Sequence, residues 1–317
     1  MKEKIAVLAG GPSCEREISL ISGKAVWEAL SAKGFDVILI DPIGDFMQVL
    51  KKSGITVVFN ALHGAFGEDG TVQRMLDKEN ILYTGSPAHV SETAFDKALA
   101  QSLFKKKEIY IPAFRVLKEG QKPALLEPLS FPLVVKPSKA GSSFGVSIVS
   151  DRGELDEALS EAFRYSDTAL VEDYIRGREL TVGFLGDEPL PIVEVIVQRK
   201  FYDYEAKYRD SRTCYEFPAK LTEKEEAEVL HEAQEAYHAL GCEGMGRVDI
   251  ILGADGRPYV LEVNTIPGLT GKSLLPKAAK SRGIEFPELC VKIIELSLKR
   301  GLSRSKAVSA GIQGVKG

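Results

Sequence analysis

A short dipeptide, Asp255-Gly256, constrains the fold of this chain more than any other feature of its sequence. It stands between two apolar runs, where it is a strong signal for a two-residue β-hairpin loop. With this loop the hairpin pairs Asp249 with Glu262, and on the same face it pairs Arg247 with Asn264. The polar face therefore gathers two carboxylates, a guanidinium and a carboxamide.

The opposite face of this hairpin is predicted to be a continuous apolar core. Its members are Val248, Ile250 and Leu252 on the first strand and Val263, Leu261 and Tyr259 on the second. A four-residue loop would shift the pairing, keep both faces and make Asp249 and Glu262 diagonal neighbours. Under either loop the two carboxylates lie close together.

Opposed carboxylates on adjacent strands destabilise each other. A divalent cation between them removes this penalty, and oxygen ligands of this kind suit magnesium. The alternative is a solvated polar face on which both carboxylates point into water and only Arg247 relieves their repulsion. The pattern predicts a metal site without identifying a reaction.

A second candidate site is the Gly/Ser-rich segment 136–145, which lies between two predicted strands. Small residues leave backbone N–H groups free to approach phosphate oxygens, and Lys136 can supply a point charge. The segment is not a Walker A loop, because the order of its residues differs and no helix follows. A flexible hairpin loop is the alternative interpretation.

The N-terminal part alternates strands with helices, which predicts a parallel sheet covered on both faces. The predicted strands are 5–9, 35–40, 56–62 and 81–84, and the predicted helices are 18–33 and 71–78. The Gly10-Gly11 turn lacks the dinucleotide-binding fingerprint. Glu15 lies near a helix N-terminus, where helix capping alone could explain it. His63 follows the carboxyl end of a strand, where open α/β sheets place ligands.

After this part, the predicted pattern of secondary structure changes to strands separated by tight turns. One helix is predicted from Ser86 to about Lys107, others at 151–164, 222–241 and 288–299, and strands at 133–136, 146–149, 169–174, 180–185 and 192–197. The predicted domains are 1–90, 91–177 and 178–306, with a mobile lid near 201–215 and a flexible tail at 307–317. A capping box at Thr222 opens the third of these helices.

Length, charge, apolar runs and cysteine spacing exclude several classes of protein. A chain of 317 residues is long enough for two or three domains. Its net charge of −4, from 41 basic and 45 acidic residues, argues against a dedicated nucleic-acid binder. No apolar run approaches the ~20 residues that span a membrane. The four cysteines are far apart, which suits a reducing compartment, so we expect a soluble, cytoplasmic protein.

Taken together, the motifs resemble the ATP-grasp superfamily and, within it, the D-alanine–D-alanine ligase family. The resemblance runs through nearly the whole chain, in segments 10–15, 63–73, 96–97, 136–145, 202–208, 241–249 and 262–268. It implies an α/β and α+β architecture, in which a Rossmann-like N-terminal domain is followed by two α+β domains that clasp ATP.

The resemblance also implies roles for individual residues. For ATP, the phosphates would be contacted by Lys97, Lys136 and Lys207, the adenine by Glu172 and the ribose by Glu179. Two Mg²⁺ ions, or Mn²⁺ in their place, would be held by Asp249, Glu262 and Asn264. On the amino-acid side, Glu15 and His63 would bind the first D-alanine, Arg247 and Gly268 would line the acyl-transfer centre, and Ser273 and Leu274 would receive the carboxylate of the second D-alanine. Tyr208, in the lid, would be linked through Ser142 to Glu15.

The implied activity is ATP-dependent ligation of two D-alanines through an acyl phosphate, which releases ADP and phosphate and serves peptidoglycan precursor synthesis. The implied assembly is a homodimer with no nucleic-acid or membrane partner. Three alternative hypotheses for the function are a different ATP-grasp ligase, a nicotinamide-dependent oxidoreductase and a catalytically silent ATP-binding module. Four positions depart from the family pattern, namely Gln101, Asp173, Glu243 and Lys272, and we expect them to affect affinity more than chemistry.

Overall fold

The structure is a computed structural model that describes residues 3–121, 126, 129–196 and 213–313, with side chains described as far as residue 302. These residues form three sheets. The first is the parallel sheet predicted for the N-terminal part, and the other two are antiparallel. The predicted domain boundaries remain predictions.

The parallel sheet has the strand order β2-β1-β3-β4. Its strands are β1 (Lys4–Leu8), β2 (Asp36–Ile40), β3 (Val57–Asn60) and β4 (Leu82–Tyr83), and its helices are α1 (Arg16–Ala32), α2 (Phe46–Lys52) and α3 (Thr71–Lys78). Helix α2 was not predicted. It is short, and Asp45 caps it by accepting a hydrogen bond from Gln48 N at 3.1 Å.

The single helix predicted from Ser86 to Lys107 is wrong. The structure has two helices, α4 (Ala88–Phe95) and α5 (Lys97–Lys106), separated by Asp96 in an extended conformation with ψ 97°. The Asp96 carboxylate accepts hydrogen bonds from Ala98 N at 3.1 Å and Leu99 N at 3.3 Å, so it caps α5. Ser138 Oγ also donates to Asp96, which ties the start of α5 to the Gly/Ser-rich segment.

The second sheet has the order β5-β8-β6-β7. It consists of β5 (Phe114–Lys118), β6 (Leu133–Pro137), β7 (Ser147–Val149) and β8 (Thr168–Asp173), with α6 (Leu155–Phe163) packed on it. Strand β5 was not predicted. The helix expected at 151–164 is divided into a 3₁₀ turn at Arg152–Glu154 and α6.

The third sheet has the order β12-β11-β9-β13-β14, and a short strand β10 pairs with β9. The strands are β9 (Gly177–Leu185), β10 (Glu188–Pro189), β11 (Val193–Ile196), β12 (Cys214–Glu216), β13 (Met245–Gly253) and β14 (Pro258–Asn264). The helices of this part are α7 (Glu223–Leu240), α8 (Leu274–Ser281) and α9 (Phe286–Gln313). The capping box predicted for α7 is present between Thr222 and Glu225.

Helix α9 is longer than the predicted 288–299, and the segment expected to be a tail is helical as far as Gln313. The sequence here has no proline to end a helix. Gly301 also packs so closely on Leu82 that a Cβ would lie 2.8 Å from its methyl groups. Of the helices in the described ranges, none is long and apolar enough to cross a membrane.

The hairpin of β13 and β14 has the predicted register at its polar end only. Asp249 pairs with Glu262 and Arg247 with Asn264, as expected. Beyond this point a bulge shifts the register, so Ile250 pairs with Val260. The predicted two-residue loop is wrong, as is the four-residue alternative, because the loop has three residues and ends at Gly256 with φ 80°, where a left-handed conformation favours glycine.

The bulge changes which residues face the core. Val260 and Val263 are buried with Ile250, whereas Leu261 is only partly buried. The expected core pairs of Leu261 and Tyr259 are therefore wrong. An extra residue in one strand reverses the alternation of side chains that follow it.

One apolar core joins the N-terminal sheet to the C-terminal part of the chain. It contains Val7 of β1 and Val26 of α1 together with residues of the C-terminal part, namely Met245 of β13, Leu275 of α8 and Ile293 of α9. The N-terminal sheet therefore packs against α8 and α9 and not only against its own helices.

Arg300, on α9, adds polar contacts to this junction. Its Nη2 donates to Tyr83 O at 2.5 Å and its Nη1 donates to Gly85 O. Its guanidinium also lies 4.8 Å from the centre of the Tyr83 ring. These contacts fix the end of β4, and with it the N-terminal sheet, against α9.

We expect Arg300→Met to lower the free energy of unfolding by about 3 kcal/mol, because it leaves two buried carbonyls without their charged donor. Urea unfolding followed by circular dichroism measures the change. Arg282→Met is the matched control, since this half-exposed arginine donates to Pro189 O at 2.9 Å and lies 3.6 Å from Glu188 Oε2, both at the surface. Its effect should stay within about 0.5 kcal/mol. Equal effects of the two variants would contradict the anchoring role of Arg300.

Candidate active site

Two cavities meet near the centre of the molecule, with empty volumes of about 970 and 1010 Å³. The first, which we call the histidine pocket, is lined by Glu15, His63, Arg247, Gly268, Ser273 and Leu274. The second, which we call the lysine pocket, is lined by Lys136, Glu172, Glu179, Asp249 and Leu261. Lys97, segment 140–142 and Glu262 line both, so groups bound in the two pockets can meet at this shared wall.

The lysine pocket contains a buried ion pair. Lys136, at the end of β6, places its Nζ 2.7 Å from Glu172 Oε2 on the neighbouring strand β8, and the side chains are 9% and 3% exposed. The other oxygen, Glu172 Oε1, has no hydrogen-bond partner among the described residues. A buried acceptor in this state favours a ligand that donates a hydrogen bond.

Residues 140–142 of the Gly/Ser-rich segment form part of the wall that the two pockets share. Ser142 and Ser143 adopt left-handed conformations with φ 49° and 59°, which are unusual for residues other than glycine. Ser142 Oγ donates a hydrogen bond to Glu15 Oε1. At Gly141 a Cβ would lie 2.4 Å from Glu15 Oε2, so only glycine allows this approach. The segment is thus held against the N-terminal unit.

Asp249 and Glu262, the paired carboxylates of the hairpin, each have a cationic partner. Arg247 donates two hydrogen bonds to Asp249, from Nε and Nη2, both of 2.7 Å. Lys97 Nζ lies 3.2 Å from Glu262 Oε2 and donates to Ala140 O at 2.6 Å. Two opposed carboxylates in a partly buried site are therefore stabilised by positive charge on both sides.

The donor set predicted for a metal fits a hard cation. Asp249, Glu262 and Asn264 share one face of the hairpin and offer two carboxylates and an amide oxygen. Asn264 Oδ1 accepts one hydrogen bond, from Ile266 N at 2.8 Å, and a carbonyl oxygen keeps a second lone pair. No cluster of three or more His, Cys, Asp or Glu suited to a metal occurs in the described part of the chain. Oxygen ligands of this number and kind are typical of Mg²⁺ sites that rely on substrate phosphates.

Glu15 precedes α1 but does not cap it. It occupies the N-cap position without any side-chain capping bond, and the residue is only 5% exposed where it lines the histidine pocket. The capping interpretation of Glu15 is therefore wrong. A carboxylate held in this way can receive an ammonium group.

His63 lies beyond the carboxyl end of β3. Its Nε2 is 3.0 Å from Ser22 Oγ and its Nδ1 is 3.3 Å from Glu68 Oε1, so both ring nitrogens have partners. Glu68 itself lines the pocket, and the sequence reasoning did not include it among the site residues. These contacts fix the orientation of the imidazole ring.

The far wall of the histidine pocket is the start of α8. Ser273 is its N-cap residue, and Ser273 Oγ accepts a hydrogen bond from Thr270 N at 3.1 Å. At Gly268 a Cβ would lie 2.8 Å from Ser273 Oγ, so the chain approaches closely there. The N-terminus of a helix favours negative charge, and this wall therefore suits a carboxylate.

Burial shifts the pKa values of two residues that do not line the pockets. The pKa of Lys277, one turn into α8, falls to about 8, first through burial and then through the nearby charge of Lys272. Burial raises the pKa of Cys242 to about 12. No cysteine lines either pocket in the described part of the chain, which leaves no thiol nucleophile there.

Most of the predicted site residues come together at the two pockets. Lys207 and Tyr208 lie outside the described residues, as does most of the predicted lid. The roles assigned to the others remain predictions. The sequence reasoning missed Leu261 and Ile251, which form an apolar wall of the lysine pocket. No local signal marks Leu261, because only the bulge turns it toward this pocket.

Two family models match the chain, described as "D-ala D-ala ligase N-terminus" over residues 43–86 and "D-ala D-ala ligase C-terminus" over residues 103–295. A D-alanine–D-alanine ligase of Syntrophotalea carbinolica is 47% identical over 92% of this chain and 95% of its own length.

Solved structures are also similar to the chain. The D-alanine–D-alanine ligase of Bacillus anthracis complexed with ATP has a TM-score of 0.85 and 32% identity, covering 95% of this chain and 99% of that one. The VanG D-Ala:D-Ser ligase of Enterococcus faecalis has a TM-score of 0.81 and 30% identity, covering 94% and 100%.

We expect Lys136→Met to lower the free energy of unfolding by about 3–5 kcal/mol, because the Glu172 carboxylate would stay buried without its partner. Urea unfolding measures the change. The double variant Lys136→Met/Glu172→Gln should recover most of the loss, since it removes the unpaired charge. If the double variant were as unstable as the single one, the loss would not come from an uncompensated charge.

Proposed function

Since the chain belongs to the D-alanine–D-alanine ligase family, we propose that it joins two D-alanines into D-alanyl-D-alanine and converts ATP to ADP and phosphate in the process. One observation carries this function: the two pockets share a wall made of Lys97, Glu262 and segment 140–142. A nucleotide in one pocket and an amino acid in the other would meet there. Phosphoryl transfer depends on such positioning and on charge neutralisation.

ATP occupies the lysine pocket in this proposal. Lys136 and Lys97 bind its phosphates, joined by Lys207, which lies outside the described residues. The free oxygen of Glu172 accepts a hydrogen bond from the adenine amino group, and Glu179 binds the ribose hydroxyls. The apolar wall and the unpartnered Glu172 Oε1 support this orientation.

Asp249, Glu262 and Asn264 would hold two Mg²⁺ ions, or Mn²⁺ in their place. When bound, these ions neutralise charge on the phosphates of the nucleotide. The chain's own contribution is to keep two opposed carboxylates on one face of the hairpin, near Arg247 and Lys97.

The histidine pocket receives both amino acids. Glu15 binds the ammonium of the first D-alanine, with His63 beside it, and the start of α8 at Ser273 and Leu274 receives the carboxylate of the second. Ser142 holds Glu15 in place, with Tyr208 as the outer member of this link. The burial of Glu15 and the helix N-terminus at Ser273 support these assignments.

The reaction has two steps. A carboxylate oxygen of the first D-alanine attacks the γ-phosphorus of ATP, which gives an acyl phosphate and ADP. The amine of the second D-alanine then attacks the acyl carbon, loses a proton and displaces phosphate through a tetrahedral intermediate. Arg247 and the Gly268 backbone line this centre, and the Arg247 guanidinium stabilises the developing oxyanion. A closed pocket keeps water from the acyl phosphate.

We place this reaction in the cytoplasm, in peptidoglycan precursor synthesis, and in a homodimer. A second candidate is ligation of D-alanine to D-serine. The observation behind this candidate is the similarity of the chain to the VanG D-Ala:D-Ser ligase, at 30% identity.

Phosphate release with D-alanine, D-serine, L-alanine and D-lactate tests this function directly. We expect the purified chain to release phosphate with ATP, Mg²⁺ and D-alanine alone, and to form D-alanyl-D-alanine detectable by mass spectrometry. L-Alanine should be inactive as the only amino acid. Faster release with D-alanine plus D-serine, together with the mixed dipeptide as the main product, would favour the second candidate.

We expect Glu262→Gln to lower D-alanine-dependent ADP release by about 100-fold, the size typical for loss of one electrostatic group at a reaction centre. A coupled ADP assay measures it. Asp255→Asn is the matched control, because it neutralises a carboxylate of the same hairpin outside the pockets and keeps a turn-forming residue. Unchanged turnover of Glu262→Gln would argue against a role for this carboxylate.

A further inference from the structure

Gln101, on α5, is fully buried and directs its side-chain amide at the edge of β14. Its Nε2 lies 2.8 Å from Leu261 O and 3.4 Å from Val260 O. Both partners are carbonyl oxygens, which only accept, so they fix the orientation of the amide. The other end, Gln101 Oε1, has no hydrogen-bond partner in the part of the chain that the structure describes. The hydrogen bonding of this amide is therefore directed at β14.

The contact falls on the bulge in the hairpin. Leu261 and Glu262 are consecutive, yet both line the lysine pocket. On a regular strand consecutive side chains point to opposite faces, and the unbulged register would place Leu261 in the core. The bulge is what allows an apolar wall and a carboxylate to face the same ligand.

Strand β14 is at the edge of its sheet, and the bulge takes a further residue out of the ladder, so main-chain groups on this side need other partners. Here Gln101 satisfies Leu261 O, and Val260 N donates to Tyr110 O at 2.8 Å. Lys97 lies four residues before Gln101, so the two share a face of α5. Its Nζ is 3.2 Å from Glu262 Oε2. Helix α5 thus holds two consecutive residues of β14 from one side.

We propose that Gln101 is a positioning residue for the nucleotide and its divalent cation. It stabilises the bulge and thereby sets the directions of Leu261 and Glu262, without contacting the ligand itself. This inference rests on the proposed function, because it assumes that the lysine pocket binds ATP.

The test is Gln101→Met, which keeps the volume and removes the donor. We expect the Kd of a non-hydrolysable ATP analogue with Mg²⁺, measured by calorimetry, to rise about 3- to 10-fold, the equivalent of one net hydrogen bond. The KM for D-alanine should change less than the KM for ATP. Gln101→Glu, which has the same size and no donor when ionised, should weaken nucleotide binding at least as much.

Gln73→Met is the matched control. Gln73 is also buried, and its Nε2 donates to Gly67 O at 2.8 Å in the N-terminal unit, away from the lysine pocket. It should lose stability and keep the wild-type Kd for the analogue. Wild-type affinity in folded Gln101→Met, or equal weakening in Gln73→Met, would overturn the inference. Failure of the wild-type chain to bind the analogue would instead overturn the proposed function.

Discussion

Two carboxylates held face to face across a β-hairpin are the constraint on which the rest of this site depends. Asp249 and Glu262 repel each other, and the structure offsets the repulsion with Arg247 on one side and Lys97 on the other. These cations come from different elements, β13 and the start of α5. The break at Asp96 is what allows Lys97 to begin a new helix at this point. The charges of the hairpin are thus balanced only when α5 begins next to it, at Lys97.

The same point joins all three sheets. The Gly/Ser-rich segment extends from the second sheet, Glu15 comes from the first, and the hairpin belongs to the third. The contact between Ser142 and Glu15 connects the first two sheets, and the contact of Lys97 with Ala140 and Glu262 connects the second and third. A reaction that must bring a nucleotide to an amino acid needs such a junction, because each ligand is held by different units of the fold.

The sequence was sufficient for the parts of this arrangement that follow from local chemistry. Alternating strands and helices predicted the parallel sheet, and Asp255-Gly256 predicted the hairpin. The predicted pairing of Asp249 with Glu262 is correct because the bulge offsets the extra residue of the loop. The bulge at Leu261 was not predictable, because its carbonyl is satisfied by Gln101 from a distant helix. The helix break at Asp96 was missed for a related reason, since the apolar periodicity continues through it. Glu15 has the sequence position of a capping residue, but its side chain makes no capping bond and contacts Ser142 instead.

The contact between Arg300 and the end of β4 has a consequence for how the chain folds during synthesis. Helices α1 and α9 are in contact, and the core of the N-terminal sheet includes Leu289, Cys290, Ile293 and Ile294. A nascent polypeptide that has emerged only as far as α8 leaves this apolar surface open to solvent. The N-terminal sheet therefore completes its packing only after α9 has been synthesised. Until then its apolar surface stays exposed, and exposed apolar surface makes a folding intermediate prone to aggregation.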